Sequence, residues 1–307
     1  MTKQIILVHG RGYKPNKPRY QRLWRDAITA GFERDRPDLL PALDASRISM
    51  AYYADLSAEW LSRIGKRPRE NDFEMRRETL DGLMKLSPRQ FGPRHYNQQR
   101  GAAPILESLA DALDYPLSYL RLGEGLFEVY APEIREYWAD VHFGGDVRLR
   151  LTDTLRKAMK REGPICLVGH SLGTLVCYDV LWKLSHYSEY RRETWNRRVD
   201  LLITLGAPLA NETIRKHLKG AEVPAEFRYP TNLRRWVNIA AEDDIIAHDQ
   251  TVRNDFRPME RTGCRIVDHR VYNPAIREGK PNPHEGTGYL IHPRFVQTLG
   301  KWLETDA

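Results

Sequence analysis

Apolar positions along the chain follow two periods. Short, mostly apolar runs at 5–8, 48–53, 165–168, 199–205 and 236–240 end at glycine or at a polar cluster. Runs of that length and composition predict buried parallel strands. Residues 266–272 alternate instead, with Val267 and Val271 opposed to Asp268 and Arg270, which predicts an outer strand. Between these runs the apolar residues recur at helical spacing. Leu23, Trp24, Ala27, Ile28 and Gly31 share one face of a predicted helix over 20–34, and Leu172, Leu175, Val176, Val180, Leu181 and Leu184 share one face of another. Further helices are predicted over 146–161 and 293–303. Strands alternating with helices imply an α/β chain, a mainly parallel sheet with helices on both faces.

One stretch breaks the alternation. Residues 57–103 are strongly polar and hold ten basic and six acidic side chains, a surplus of +4. Residues 105–142 read as helical pieces broken at Pro116, Gly123–Gly125 and Pro132. The expected organisation is a core of residues 1–56 and 131–307 with a mostly helical cap or lid inserted at 57–130. Leu117, Tyr119, Leu120, Leu126, Phe127 and Tyr130 would face an acyl chain from that lid.

Composition narrows the class. With 307 residues, 41% of them apolar, the chain is long enough to bury a core without disulfides or metal. Cys166, Cys177 and Cys264 form no Cys-x-x-Cys pair and read as core residues, which favours a reducing, cytoplasmic setting. No apolar run reaches the ~18 residues of a membrane span, and the four apolar residues at 5–8 are too few for a secretory leader. The net charge of +7 raises nucleic acid, an anionic lipid or an acidic substrate as partners. The chain has no basic helix or aromatic–basic motif, so nucleic acid is not expected. The basic 57–103 segment is instead expected to meet an anionic head group or a membrane surface. No ligand spacing marks a metal site and no glycine-rich phosphate loop occurs, so neither metal nor cofactor is expected.

The chemistry concentrates at Gly169-His170-Ser171-Leu172-Gly173, which matches the G-x-S-x-G nucleophile elbow between a strand and a helix. A serine in that strained turn would be exposed, and the turn would aim the following helix's N-terminus at the developing oxyanion. It needs a base, and the base needs an orienting acid.

With this elbow the sequence resembles the α/β-hydrolase superfamily, in its lipase/esterase branch. Gly-His-Ser-Leu-Gly-Thr and Thr204-Leu-Gly-Ala-Pro208 look like the GPI-inositol-deacylase-like members. The resemblance spans nearly the whole chain outside 57–130, although the family's first two antiparallel strands are lacking. It implies the α/β-hydrolase fold and a Ser-His-acid triad with Ser171 as nucleophile. Leu7-Val8-His9-Gly10-Arg11-Gly12 looks like the family's His-Gly oxyanion loop, so the backbone N–H groups of Arg11 and Leu172 would form the oxyanion hole. The family order of serine, acid, histidine points to Asp243 after strand 236–240, with Asp244 as the alternative and Glu242 a remote third. The base would be His284, in the loop before the last helix. His292, before Pro293, reads as a helix cap, and His170 as a packed neighbour of the nucleophile. The implied activity is hydrolysis of a carboxylic ester, in a small molecule or a lipid. Acyltransferase, thioesterase or amidase chemistry on the same triad is the alternative, and a non-catalytic binding protein on this scaffold is another.

Overall fold

The computed structural model describes residues 1–100, 132–194, 196–247 and 250–305. Six strands form one sheet: β1 Gln4–Val8, β2 Arg47–Ala51, β3 Ile165–His170, β4 Leu201–Leu205, β5 Arg235–Ala241 and β6 Arg265–Val271. Their order is β2-β1-β3-β4-β5-β6 and every neighbouring pair is parallel. Each strand lies where an apolar run predicted it, and the alternating one, β6, is an edge strand as expected.

The principal helices are α1 Lys17–Asp35, α2 Ala54–Arg63, α3 Asp72–Met84, α4 Pro93–Arg100, α5 Pro132–Ala139, α6 Val141–Met159, α7 Leu172–His186, α8 Gly286–Leu290 and α9 Pro293–Glu304. Successive strand side chains point to opposite faces, and the core divides accordingly. Ile6, Val8, Ile165 and Leu167 pack with α5, α6 and α7. Ile5, Leu7, Cys166 and Val168 pack with α1, α3 and α9. This is an α/β fold with helices on both faces of a parallel sheet. All three cysteines are buried free thiols. Among the described residues no helix is long and apolar enough to cross a membrane.

The inserted segment is joined to this core more tightly than its polar composition implies. Leu80 and Leu83 of α3 are buried in the α1 cluster, together with Phe91. Each buried leucine contributes about 1.5–3 kcal/mol of hydrophobic stabilisation. Polar links add to this: Arg77 reaches Asp26 of α1 at 2.6 Å, Arg277 meets Asp72 at 2.5 Å, and Thr79 Oγ1 donates to the Ile276 carbonyl at 3.0 Å. Residues 57–100 therefore dock on the core and on the loop that leads to His284. The second half, with Leu117, Tyr119, Leu120, Leu126, Phe127 and Tyr130, lies outside the described residues.

The strand order sets where a site can form. The chain leaves β1 toward β2 on one side and returns through β3 on the other, so β1 and β3 flank the point where the order reverses. In open parallel sheets the crevice at the carboxyl ends of such strands is the usual ligand position. Ser171 follows β3 and the His9–Gly12 loop follows β1.

Candidate active site

Ser171 sits between β3 and α7 with φ 54° and ψ −125°. A non-glycine residue in this conformation carries roughly 1–3 kcal/mol of backbone strain. Its N–H donates to the Leu205 carbonyl at 3.0 Å, which ties the turn to β4. Gly173 shows why the elbow needs its glycine: a Cβ there would stand 2.4 Å from the carbonyl oxygens of both Val8 and His9. The start of α7 thus lies across the end of β1. On its other flank Ser171 meets the loop after β1, because a Cβ on Gly10 would come within 2.8 Å of the Ser171 Cβ.

That loop is held from within. His9 is fully buried, and its Nε2 accepts from the Tyr53 N–H at 3.1 Å. The proton therefore resides on Nδ1, which donates to the Gly10 carbonyl at 2.8 Å. The Tyr53 hydroxyl donates to the His9 carbonyl. Gly12 N–H donates to Glu133 at 2.7 Å, and the other Glu133 oxygen accepts from Ser57 Oγ at 2.5 Å. Arg11, between these anchors, lines the same cleft as Ser171. Leu172 opens α7, whose first N–H groups have no partner inside the helix.

His284 donates from Nδ1 to Asp244, at 2.9 and 2.8 Å from its two oxygens. With that proton fixed, Nε2 is left as a lone-pair base. The Asp244 side chain is wholly buried, and it accepts from the Tyr289 hydroxyl at 2.6 Å and the Ile246 N–H at 3.0 Å. The carboxylate beside His284 is thus Asp244, one residue beyond the expected Asp243. The cause is local. Strand β5 continues to Ala241, and Asp244 N–H then donates to the Ala241 carbonyl at 3.1 Å. This tight turn folds the fourth residue, not the third, back over the end of the sheet. Asp243 is partly buried on the turn and Glu242 is exposed.

Gly206, in the Thr-Leu-Gly-Ala-Pro run, makes room for the pair. It has φ +53°, and a Cβ there would lie 2.8 Å from Asp244 Oδ2 and 3.0 Å from His284 Nδ1. His170 steadies the histidine loop. Its Nε2 donates to the His284 carbonyl at 2.9 Å, and the two rings are centred 4.8 Å apart. Burial, and then the neighbouring His284, hold His170 well below the usual histidine range, so it stays neutral. His292 caps α9, accepting from the Arg294 N–H at 3.0 Å. His269 lies on the edge strand β6, and His248 is outside the described residues.

Sequence patterns did not reveal Glu133, Tyr289 or Lys14 as site residues. Lys14 lines the cleft and donates to the Arg11 carbonyl. Among the described residues no cluster of three or more His, Cys, Asp or Glu is arranged to hold a metal ion.

Two buried histidines give the fold a pH signature. Burial lowers His9 to about 3, with Lys14 and Arg76 adding to the effect. Burial likewise lowers His292 to about 3, reinforced by Arg34 and Arg294. Both remain neutral in the folded protein while the unfolded chain takes up protons below its histidine value of 6.5. Stability is therefore full above pH 6.5 and falls as pH drops toward about 3. Each group costs about 2 kcal/mol by about pH 5. Denaturant titrations should record this loss, and His292→Asn, which keeps a capping acceptor, should remove its share. The same pH slope in that variant would contradict a neutral His292.

No family model and no curated protein matches the sequence.

Proposed function

We propose that the protein is a serine hydrolase of the α/β-hydrolase type that cleaves a carboxylic ester through an acyl-enzyme on Ser171. The observation that carries this reading is the buried Asp244–His284 pair. It leaves His284 Nε2 as a base in the cleft that Ser171 also lines. A solvated loop carboxylate would not need Tyr289, Ile246 and a left-handed glycine arranged around it.

In this mechanism His284 Nε2 takes the hydroxyl proton as Ser171 Oγ attacks the ester carbonyl. Asp244 holds the ring by its Nδ1–H and stabilises the imidazolium. The carbonyl oxygen becomes an oxyanion, and the N–H groups of Leu172 and Arg11 receive it. One such donor is worth about 2.7–4 kcal/mol. The tetrahedral intermediate collapses, the C–O bond breaks, and the imidazolium returns the proton to the departing alkoxide. Water, deprotonated by His284, then attacks the acyl-serine, and the reverse proton transfer frees the acid and restores Ser171.

Purified protein incubated with p-nitrophenyl butyrate should release p-nitrophenol and butyrate in equal amounts, with the yield of acid unchanged by added alcohols. Conversion of the acyl group mainly to a new ester would make the protein an acyltransferase. Absence of turnover of every ester offered, by a folded sample, would contradict the proposal.

A further inference from the structure

The cleft beside Ser171 is strongly basic. Its described part encloses roughly 190 Å³ and is lined by seven basic side chains against two carboxylates, Asp72 and Glu285. Beyond Arg11, the basic groups converge from three parts of the chain. Lys14 comes from the loop after β1. Lys66, Arg67, Arg69 and Arg76 come from the inserted segment, and Arg277 from the loop before His284. Both carboxylates are already engaged. Asp72 is bonded by Arg76 at 2.7 Å and by Arg277 at 2.5 Å, and Glu285 lies 3.8 and 3.9 Å from the same two arginines. Arg69 is paired with Glu278 at 2.6 Å, which leaves six basic side chains against the two lining carboxylates, a positive surplus that these acids do not cancel.

We propose that this cleft binds an ester bearing a phosphate or carboxylate near the scissile bond, with Lys14 and Arg67 gripping the anion. The inference rests on the ester-hydrolase reading and adds the chemical class of the substrate. Lys14 is the inner contact. Its ammonium donates to the backbone carbonyls of Arg11 and Tyr13, and it makes no ion pair among the described residues. Two neutral acceptors do not balance a partly buried cation, so an anion entering the cleft meets a charge short of a counter-ion. Burial, and then Arg76, depress Lys14 to about 7 against the pull of Asp72, Glu133 and Glu285. A bound anion would restore its proton. Arg67 is the outer contact: it is exposed at the cleft and has no described partner. A guanidinium suits the fork geometry of phosphate or carboxylate. The cleft is concave and set at the strand ends, so the anion it selects is part of a small substrate or a single lipid head group.

The test compares p-nitrophenyl hemisuccinate with p-nitrophenyl butyrate at low salt. The anionic ester should have the higher kcat/KM by about tenfold or more, as expected for one charge-assisted contact. Arg67→Gln should lower the anionic-to-neutral ratio about tenfold. Lys14→Gln should lower it too, and Lys14→Arg should retain it. Inorganic phosphate should inhibit butyrate hydrolysis competitively, less so in Arg67→Gln. Salt should narrow the difference, since the screening length is about 8 Å at physiological strength. Two further substrates separate the sources of the anion. Faster turnover of soluble acetyl glycerol phosphate assigns a free phosphorylated ester, and faster turnover of long-chain lysophosphatidate in vesicles assigns a lipid head group. A ratio near one, with Ser171-dependent turnover intact and no inhibition by phosphate, would overturn the anion site alone. Loss of all Ser171-dependent turnover in the wild type would instead overturn the hydrolase reading beneath it.

Discussion

Ser171→Ala will lower ester turnover by about 10⁶-fold, the loss measured when a triad nucleophile is removed. The effect is expected to be confined to chemistry. The Ser171 side chain is small, and among the described residues the turn is held by backbone groups of Ser171, its N–H donating to Leu205 and its carbonyl accepting from Thr174. The unfolding midpoint in denaturant should therefore stay close to that of the wild type or rise slightly, because the strain at φ 54° is no worse for alanine. His284→Ala should approach the same loss, since nucleophile and base act as one unit. A variant at Ser171 that kept more than a small fraction of the wild-type rate would remove serine from the mechanism.

The second large effect separates two adjacent aspartates. Asp244→Asn should cost about 10⁴-fold in turnover, because an amide cannot hold the imidazole in the tautomer that leaves Nε2 basic. Asp243→Asn should cost less than about tenfold, as the carboxylate bonded to the ring is that of Asp244 and Asp243 is not needed for the proton transfers. Steady-state kinetics of the two variants on p-nitrophenyl butyrate decide this. Equal losses would mean that the pair acts jointly, and a loss confined to Asp243 would contradict the hydrogen bonds described for Asp244.

That one-residue difference illustrates what the amino-acid pattern carries. Five strands were legible because a strand in a parallel sheet needs a short apolar run, and such runs are hard to mistake in a chain with 29% charged residues, while β6 was legible from its alternation. The turn at Ser171 between β3 and α7 was legible because the elbow pattern fills five contiguous residues. The loop that carries His284 was legible from its prolines and glycines before the last helix. The choice between Asp243 and Asp244 was not, because it depends on where β5 stops and how the next four residues turn. Patterns place such boundaries only to within a few residues.

The inserted segment was legible as an interruption, but its attachment to the core was not. Its described half is anchored by few buried apolar residues, Leu80, Leu83 and Phe91 among them, scattered through a polar stretch. Its other anchors are ion pairs to residues such as Asp26 and Arg277, which are remote in sequence. Glu133 and Tyr289 were hidden for the same reason. Each acts through a bond to a residue 121 or 45 positions away, and no local period encodes such a partner. Lys14 sits in a Gly/Pro/Lys-rich loop that reads as ordinary surface. Only the convergence of α3, the His284 loop and the β1 loop places it in one cleft with Ser171.

Whether Ser171 is the nucleophile is decided most directly by the site of covalent capture by a fluorophosphonate, read by mass spectrometry of the digested protein. One phosphonyl group per chain is expected, on Ser171, formed rapidly in the wild type, slowly in Asp244→Asn and not at all in Ser171→Ala. A folded wild-type protein left unlabelled at Ser171, or labelled at another residue with Ser171 untouched, would contradict a nucleophilic Ser171.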